Sequence, residues 1–93
     1  MGITIELPDV LLPYSGGAPE VTLEERSRTV GDALSALAAR HAGIVDRVMN
    51  ERGEVREHVN IFVDGDNIRF LDGLGTALEE GSTLTILAAV SGG

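Results

Sequence analysis

The hydrophobic period of this chain changes twice, and that limits its fold more than any other feature. Apolar residues recur at every second position near the start, at helical spacing over residues 29–41, and at every second position again from residue 59 onward. One helical stripe between runs of strand covers only one face of a sheet. The pattern therefore predicts an α+β fold, with one main helix packed on one face of a mixed sheet of about five strands.

The individual segments follow from the same spacing. In "GITIELP", Ile3, Ile5 and Leu7 share a face of a first strand that stops at Pro8. "PDVLLPYSGGAP" reads as an ordered loop of turns with Val10, Leu11 and Leu12 as apolar anchors, and "EVTLEE" returns as a second strand with Val21 and Leu23 on one face. "TVGDALSALAARH" places Val30, Ala33, Leu34, Leu37 and Ala38 on one helical stripe. Thr29 is suited to the N-cap, Asp32 to the first turn, Arg40 and His41 to the last turn, and Gly43 to the stop. "GIVDRVMN" predicts a short second helical piece with Ile44, Val45, Val48 and Met49 on the core, and "ERGEVREH" an exposed charged loop. "VNIFVDGDNIRF" is a strand, an Asp-Gly turn and a shorter strand. "LDGLGTALEEGS" reads as loop with one helical turn, and "TLTILAAV" as the last strand.

Composition narrows the function classes. A chain of 93 residues is expected to form a single domain that buries about 60–65% of its unfolded surface, which leaves little for a separate cofactor domain. A net charge of −8 repels phosphate backbones and anionic lipid, so neither nucleic acid nor membrane is an expected partner. The absence of cysteine excludes disulfides, thiolate metal sites and a cysteine nucleophile. All seven positive residues are arginines, so the chain offers no side-chain amine and can only be the donor in a conjugation. No basic region followed by an apolar stretch opens the sequence, which makes a cytoplasmic location the expectation.

The ending "AAVSGG" draws these threads together. At a glycine frequency of ~7%, two terminal glycines arise by chance in roughly one chain in two hundred. Together with "VNIFVDGDNIRF", "GLGTALEEGSTLTIL" and the order of elements, this ending resembles the β-grasp, ubiquitin-like sulfur-carrier family, whose members supply sulfur for thiamin, molybdopterin, cysteine or thiolated tRNA. The resemblance spans essentially the whole chain. "LPDVLLPYSGG" and "GIVDRVMNERGEVREHVNIFVD" are most similar to the carrier of actinobacterial-type cysteine biosynthesis.

The resemblance implies that Gly93 is the site of chemistry. An α-carboxylate, with a reference pKa of about 3.5, is a poor electrophile near neutral pH and needs activation. In the family an adenylating enzyme supplies it with ATP, and a persulfide donor then leaves a thiocarboxylate on the terminal glycine. For the cysteine branch the implied partners are a pyridoxal-phosphate synthase as acceptor and a metalloprotease that frees cysteine from the tail. The carrier itself is expected to bind no cofactor or metal and to act as a co-substrate, not an enzyme. Ala89, Val90, Ser91, Gly92 and Gly93 form the expected flexible tail, and the two glycines, lacking Cβ atoms, fit a narrow channel in the activating enzyme.

Alternation also predicts a docking face. With Leu84 and Ile86 toward the helix, Thr85 and Leu87 lie on the other side; with Ile61 and Val63 inward, Phe62 faces out. Phe62 and Leu87 are thus the expected partner-docking patch, with Asp64, Asp66, Glu79 and Glu80 as rim charge.

Other signals have ordinary explanations. His41 and His58 lack companions at metal-ligand spacing, and "DGDN" is accounted for by a hairpin turn in place of a calcium loop. "GLGTAL" fails the dinucleotide fingerprint at its last glycine, and the pairs Glu24–Glu25 and Glu79–Glu80 read as solvated charge. Ser91 has no base near it in sequence. The alternatives that stay open are a molybdopterin synthase small subunit, a tRNA-thiolation carrier, a protein modifier joined through Gly93, and a β-grasp interaction module with an inert tail.

Overall fold

The computed structural model describes residues 2–24 and 26–88. Strands β1 (Ile3–Glu6), β2 (Glu20–Leu23), β3 (Val59–Val63), β4 (Asp66–Asn67) and β5 (Thr83–Ala88) form one sheet in the order β2-β1-β5-β3-β4. Helices α1 (Val30–Arg40) and α2 (Ala42–Val48) follow β2. β5 is the central strand, parallel to β1 on one side and antiparallel to β3 on the other.

The alternating residues of the strands meet the helical stripe in one core. Ile5, Leu23, Leu37, Ile44, Ile61, Leu84 and Ile86 are each less than 2% exposed. Burying such a side chain contributes about 1.5–3 kcal/mol, so this small set carries much of the fold's stability. The register explains the sharing of faces: Ile5 pairs with both Val21 and Leu84, and Ile61 with Ile86.

α1 begins as its sequence predicts. The Thr29 hydroxyl accepts the Asp32 N–H at 3.1 Å, and the Asp32 carboxylate accepts the Arg28 N–H at 3.2 Å, so two N–H groups at the helix entry are satisfied reciprocally. The Asp-Gly turn between β3 and β4 has φ of 48° at Asp64 and 95° at Gly65, the pair of left-handed residues a tight hairpin requires.

Four local expectations are corrected. Of the three apolar anchors Val10, Leu11 and Leu12, only Leu11 is buried; the segment Asp9–Tyr14 is a 3-10 turn, whose three-residue period puts Leu11 and Tyr14 on one side. Gly43 does not end α1. His41 caps that helix, and Gly43 lies inside α2, where a Cβ would stand 3.0 Å from Tyr14 Cδ1. Ala38 is half-buried, outside the core stripe. The shorter strand stops at Asn67, because the Asn67 side chain accepts the Arg69 N–H at 2.9 Å and turns the chain so that Ile68 can be buried.

The charged stretch after α2 is more ordered than its composition suggests. Asn50 Oδ1 accepts the N–H groups of Arg52 and Glu54 at 2.9 and 3.0 Å, while Met49 and Val55 form an isolated bridge and pack against the core. Among the described residues no helix is long and apolar enough to cross a membrane.

Candidate partner-docking site around the last strand

Gly93 and the tail positions Ala89, Val90, Ser91 and Gly92 lie outside the described residues, so the site is defined by what surrounds the root of the tail at Ala88. Because β5 is bonded on both edges, that root is anchored to the middle of the sheet.

The outward face of the sheet carries both residues of the expected patch. Phe62 pairs with Thr85 and Asn60 with Leu87, which makes Phe62 and Leu87 diagonal neighbours on the side away from the helices. Leu87 is 48% exposed and Phe62 is half-buried. Polar pairs frame them: Thr85 Oγ1 donates to Glu6 Oε1 at 2.8 Å, and Asn67 Nδ2 donates to Asn60 Oδ1 at 3.2 Å. With these neighbours already bonded to each other, the apolar surface of Phe62 and Leu87 is the part left for a partner to cover.

Of the four acidic residues expected at the rim, Asp64 and Asp66 adjoin the Phe62 end of the patch, and all four lie toward the beginning of β5. Antiparallel pairing sets Val63 against Leu84 and Val59 against Ala88, so the turn carrying Asp64 and Asp66 lies at the beginning of β5. Glu79 and Glu80 precede that same end, and the Glu79 N–H donates to Ser82 Oγ at 3.1 Å. All four are therefore remote from the tail root. Asp64 has a structural task as well, since its Oδ1 accepts the Thr83 N–H at 2.9 Å.

The tail end of β5 has the opposite character. An open cleft of about 530 Å³ adjoins Ala88, walled by Arg47, Arg56, His58 and Asp46 over an apolar floor that includes Tyr14 and Val59. The Arg47 guanidinium stacks 3.9 Å from the centre of the Tyr14 ring, and Arg56 Nη2 donates to the Asp46 carbonyl at 3.1 Å. Arg56 and His58 belong to the stretch "ERGEVREH", which reads in sequence as an exposed charged loop, and Arg47 to the short second helical piece. The cleft arises only when α2 folds back beside the start of β3, and no linear motif announces that. Among the described residues, no group of three or more His, Cys, Asp or Glu side chains could hold a metal ion.

A five-stranded mixed sheet with helices on one face, its central strand leading to a terminal Gly-Gly, places the protein in the ubiquitin-like β-grasp class. Comparison with known proteins is more specific. Residues 5–93 match the model of the ThiS family, and the chain belongs to that family. It is 38% identical over 95 aligned residues to the sulfur carrier protein CysO of Mycobacterium tuberculosis, covering 100% of both chains. It is 42% identical over 65 residues to small archaeal modifier protein 3 of Haloferax volcanii, covering 70% of each. In the crystal structure of the Amycolatopsis orientalis BexX/CysO complex, a chain 35% identical superposes with a TM-score of 0.87, covering 98% of this chain and 99% of that one.

Proposed function

We propose that this protein is a sulfur carrier, activated and then thiocarboxylated at Gly93, and that it serves cysteine biosynthesis. The observation that carries the reading is the full-length likeness to CysO in a chain ending Gly-Gly. In the proposed cycle the Gly93 carboxylate attacks ATP on the activating enzyme, releasing pyrophosphate and leaving an acyl-adenylate. The terminal sulfur of a persulfide displaces AMP, and a thiol cleaves the resulting S–S bond to free the thiocarboxylate. Its soft sulfur then forms a C–S bond at the β-carbon of an activated serine held by a pyridoxal-phosphate enzyme as the activating group departs. The amine displaces sulfur from the tail carbonyl, and a metalloprotease hydrolyses the resulting amide to release cysteine. The carrier is consumed and regenerated as a co-substrate; ATP, pyridoxal phosphate and metal belong to its partners.

A second reading, a protein modifier joined to lysines through Gly93, is supported by the likeness to small archaeal modifier protein 3. One experiment separates the two. The protein isolated from its native host is treated with a thiol-alkylating reagent, and its intact and fragment masses are measured. With no cysteine in the chain, a single adduct on Gly93 identifies the thiocarboxylate. No adduct in cells with active sulfur supply, together with Gly-Gly remnants on cellular lysines, would replace the carrier by the modifier.

A further inference from the structure

The two ends of β5 differ in charge. Asp64, Asp66, Glu79 and Glu80 gather at its beginning, whereas Arg47, Arg56 and His58 wall the cleft at its end, in a chain of net charge −8. We propose that this cleft is a second docking surface, and that it receives an acidic side chain of the activating enzyme that takes in the tail. The inference rests on the sulfur-carrier reading.

Three observations support it. The first is position. Residues 89–93 span at most ~17 Å when fully extended, so an enzyme surface holding Gly93 lies within that distance of Ala88, which itself lines the cleft. The second is charge. Two guanidinium groups face one carboxylate, Asp46, and the apolar floor beneath them weakens solvent screening of an incoming anion. The third is preorganisation. Arg47 is stacked on Tyr14, and Arg56 spends one of its N–H donors on the Asp46 carbonyl, so both side chains lose less freedom on pairing than free arginines do.

The activating enzyme is the partner that needs such a surface most. It meets a tail that bears no chemical mark, and a terminal glycine carboxylate offers little to distinguish one chain from another. Discrimination must come from the folded domain. An acidic group entering at the tail end of β5, together with repulsion by the carboxylates at the other end, orients the carrier tail-first.

The test is steady-state adenylation, followed as pyrophosphate release, with the activating enzyme of the same organism and the full chain as substrate. Wild type is compared with Arg47→Glu, Arg56→Glu and the milder Arg47→Lys, each checked for folding by its thermal transition. Charge reversal is expected to raise KM for the carrier about tenfold with kcat within about twofold, and to flatten the rise of KM with salt; Arg47→Lys is expected to stay within about threefold of wild type. If wild type is adenylated and the folded variants share its KM and salt dependence, the cleft is not a docking surface and the carrier reading stands. A fall in kcat alone also overturns docking. If wild type is not adenylated at all, the carrier reading fails and takes this inference with it.

Discussion

Asp64 and Thr83 hold each other through two hydrogen bonds: the Thr83 N–H donates to Asp64 Oδ1 at 2.9 Å, and the Asp64 N–H donates to the Thr83 carbonyl at 2.9 Å. They clamp the β3–β4 hairpin onto the start of the central strand. Asp64 also sits at φ 48°, a region where Asp and Asn are among the few tolerated side chains. Asp64→Ala is expected to cost about 1–2 kcal/mol, a fall in Tm of at least roughly 4 °C, while Asp64→Asn, which keeps the acceptor and the backbone preference, stays within about 0.5 kcal/mol. Equal losses in both variants, measured by thermal unfolding, would remove the hydrogen bond as the cause.

Gly43 and Tyr14 form a second coupled pair. Alanine inside a helix ordinarily stabilises relative to glycine by up to about 1 kcal/mol, but here the new Cβ meets the Tyr14 ring edge at 3.0 Å. Gly43→Ala is expected to destabilise the wild-type protein by about 1 kcal/mol and to stabilise a Tyr14→Ala protein by about 0.5 kcal/mol. A double-mutant cycle measures this reversal of sign; additive effects would show that the ring moves aside freely.

Thr29 supplies the helix cap through its hydroxyl, and Thr29→Ala is expected to cost about 1 kcal/mol, with Thr29→Ser close to wild type. Chemical denaturation compares the three. A Thr29→Ala protein as stable as wild type would mean that the backbone bond from the Val30 N–H to the Thr76 carbonyl, at 3.1 Å, suffices to start α1.

Leu87 is exposed and contributes little to the core, so Leu87→Ser should change stability by less than about 0.5 kcal/mol. The same variant, and Leu87→Asp more strongly, is expected to lower kcat/KM for activation by about tenfold if the Phe62–Leu87 patch meets the partner. Unchanged kinetics in Leu87→Asp would exclude the open sheet face from the interface.

Removing Gly92 and Gly93 tests the chemistry apart from the fold. The described sheet ends at Ala88, and the core residues Leu84 and Ile86 precede it, so the truncated protein is expected to melt within about 1 °C of wild type and to accept no adenylate. Residual adenylation of that protein, mapped to an internal side chain and not to the new Ser91 carboxylate, would move the acceptor carboxylate away from Gly93.

The inward and outward positions of β3 and β5 were readable because alternation ties each side chain to a face: once Ile61 and Ile86 are inside, Phe62 and Leu87 have nowhere else to point. The Asp-Gly turn was equally legible, since its backbone geometry favours those two residues. What escaped reading depends on a third dimension. The basic cleft joins side chains of α2, residues 56–58 and the 3-10 turn after β1, and their meeting is decided by how α2 packs. The distance of the acidic residues from the tail root has a related cause: antiparallel pairing brings the β3–β4 turn to where β5 begins. The early end of β4 reflects a local competition, in which the Asn67 side chain bonds the backbone ahead of it and burial of Ile68 outweighs continuation of the ladder.

The central place of β5 has a mechanical side. Its parallel pairing with β1 runs along the strand axis, so a pull on the C-terminus loads those backbone bonds in shear, all together, instead of peeling them one by one. The antiparallel ladder with β3 shares the same load on the other edge. A machine that grips this tail therefore meets the whole sheet at once, and hauling on Gly93 is a poor way to unravel the domain.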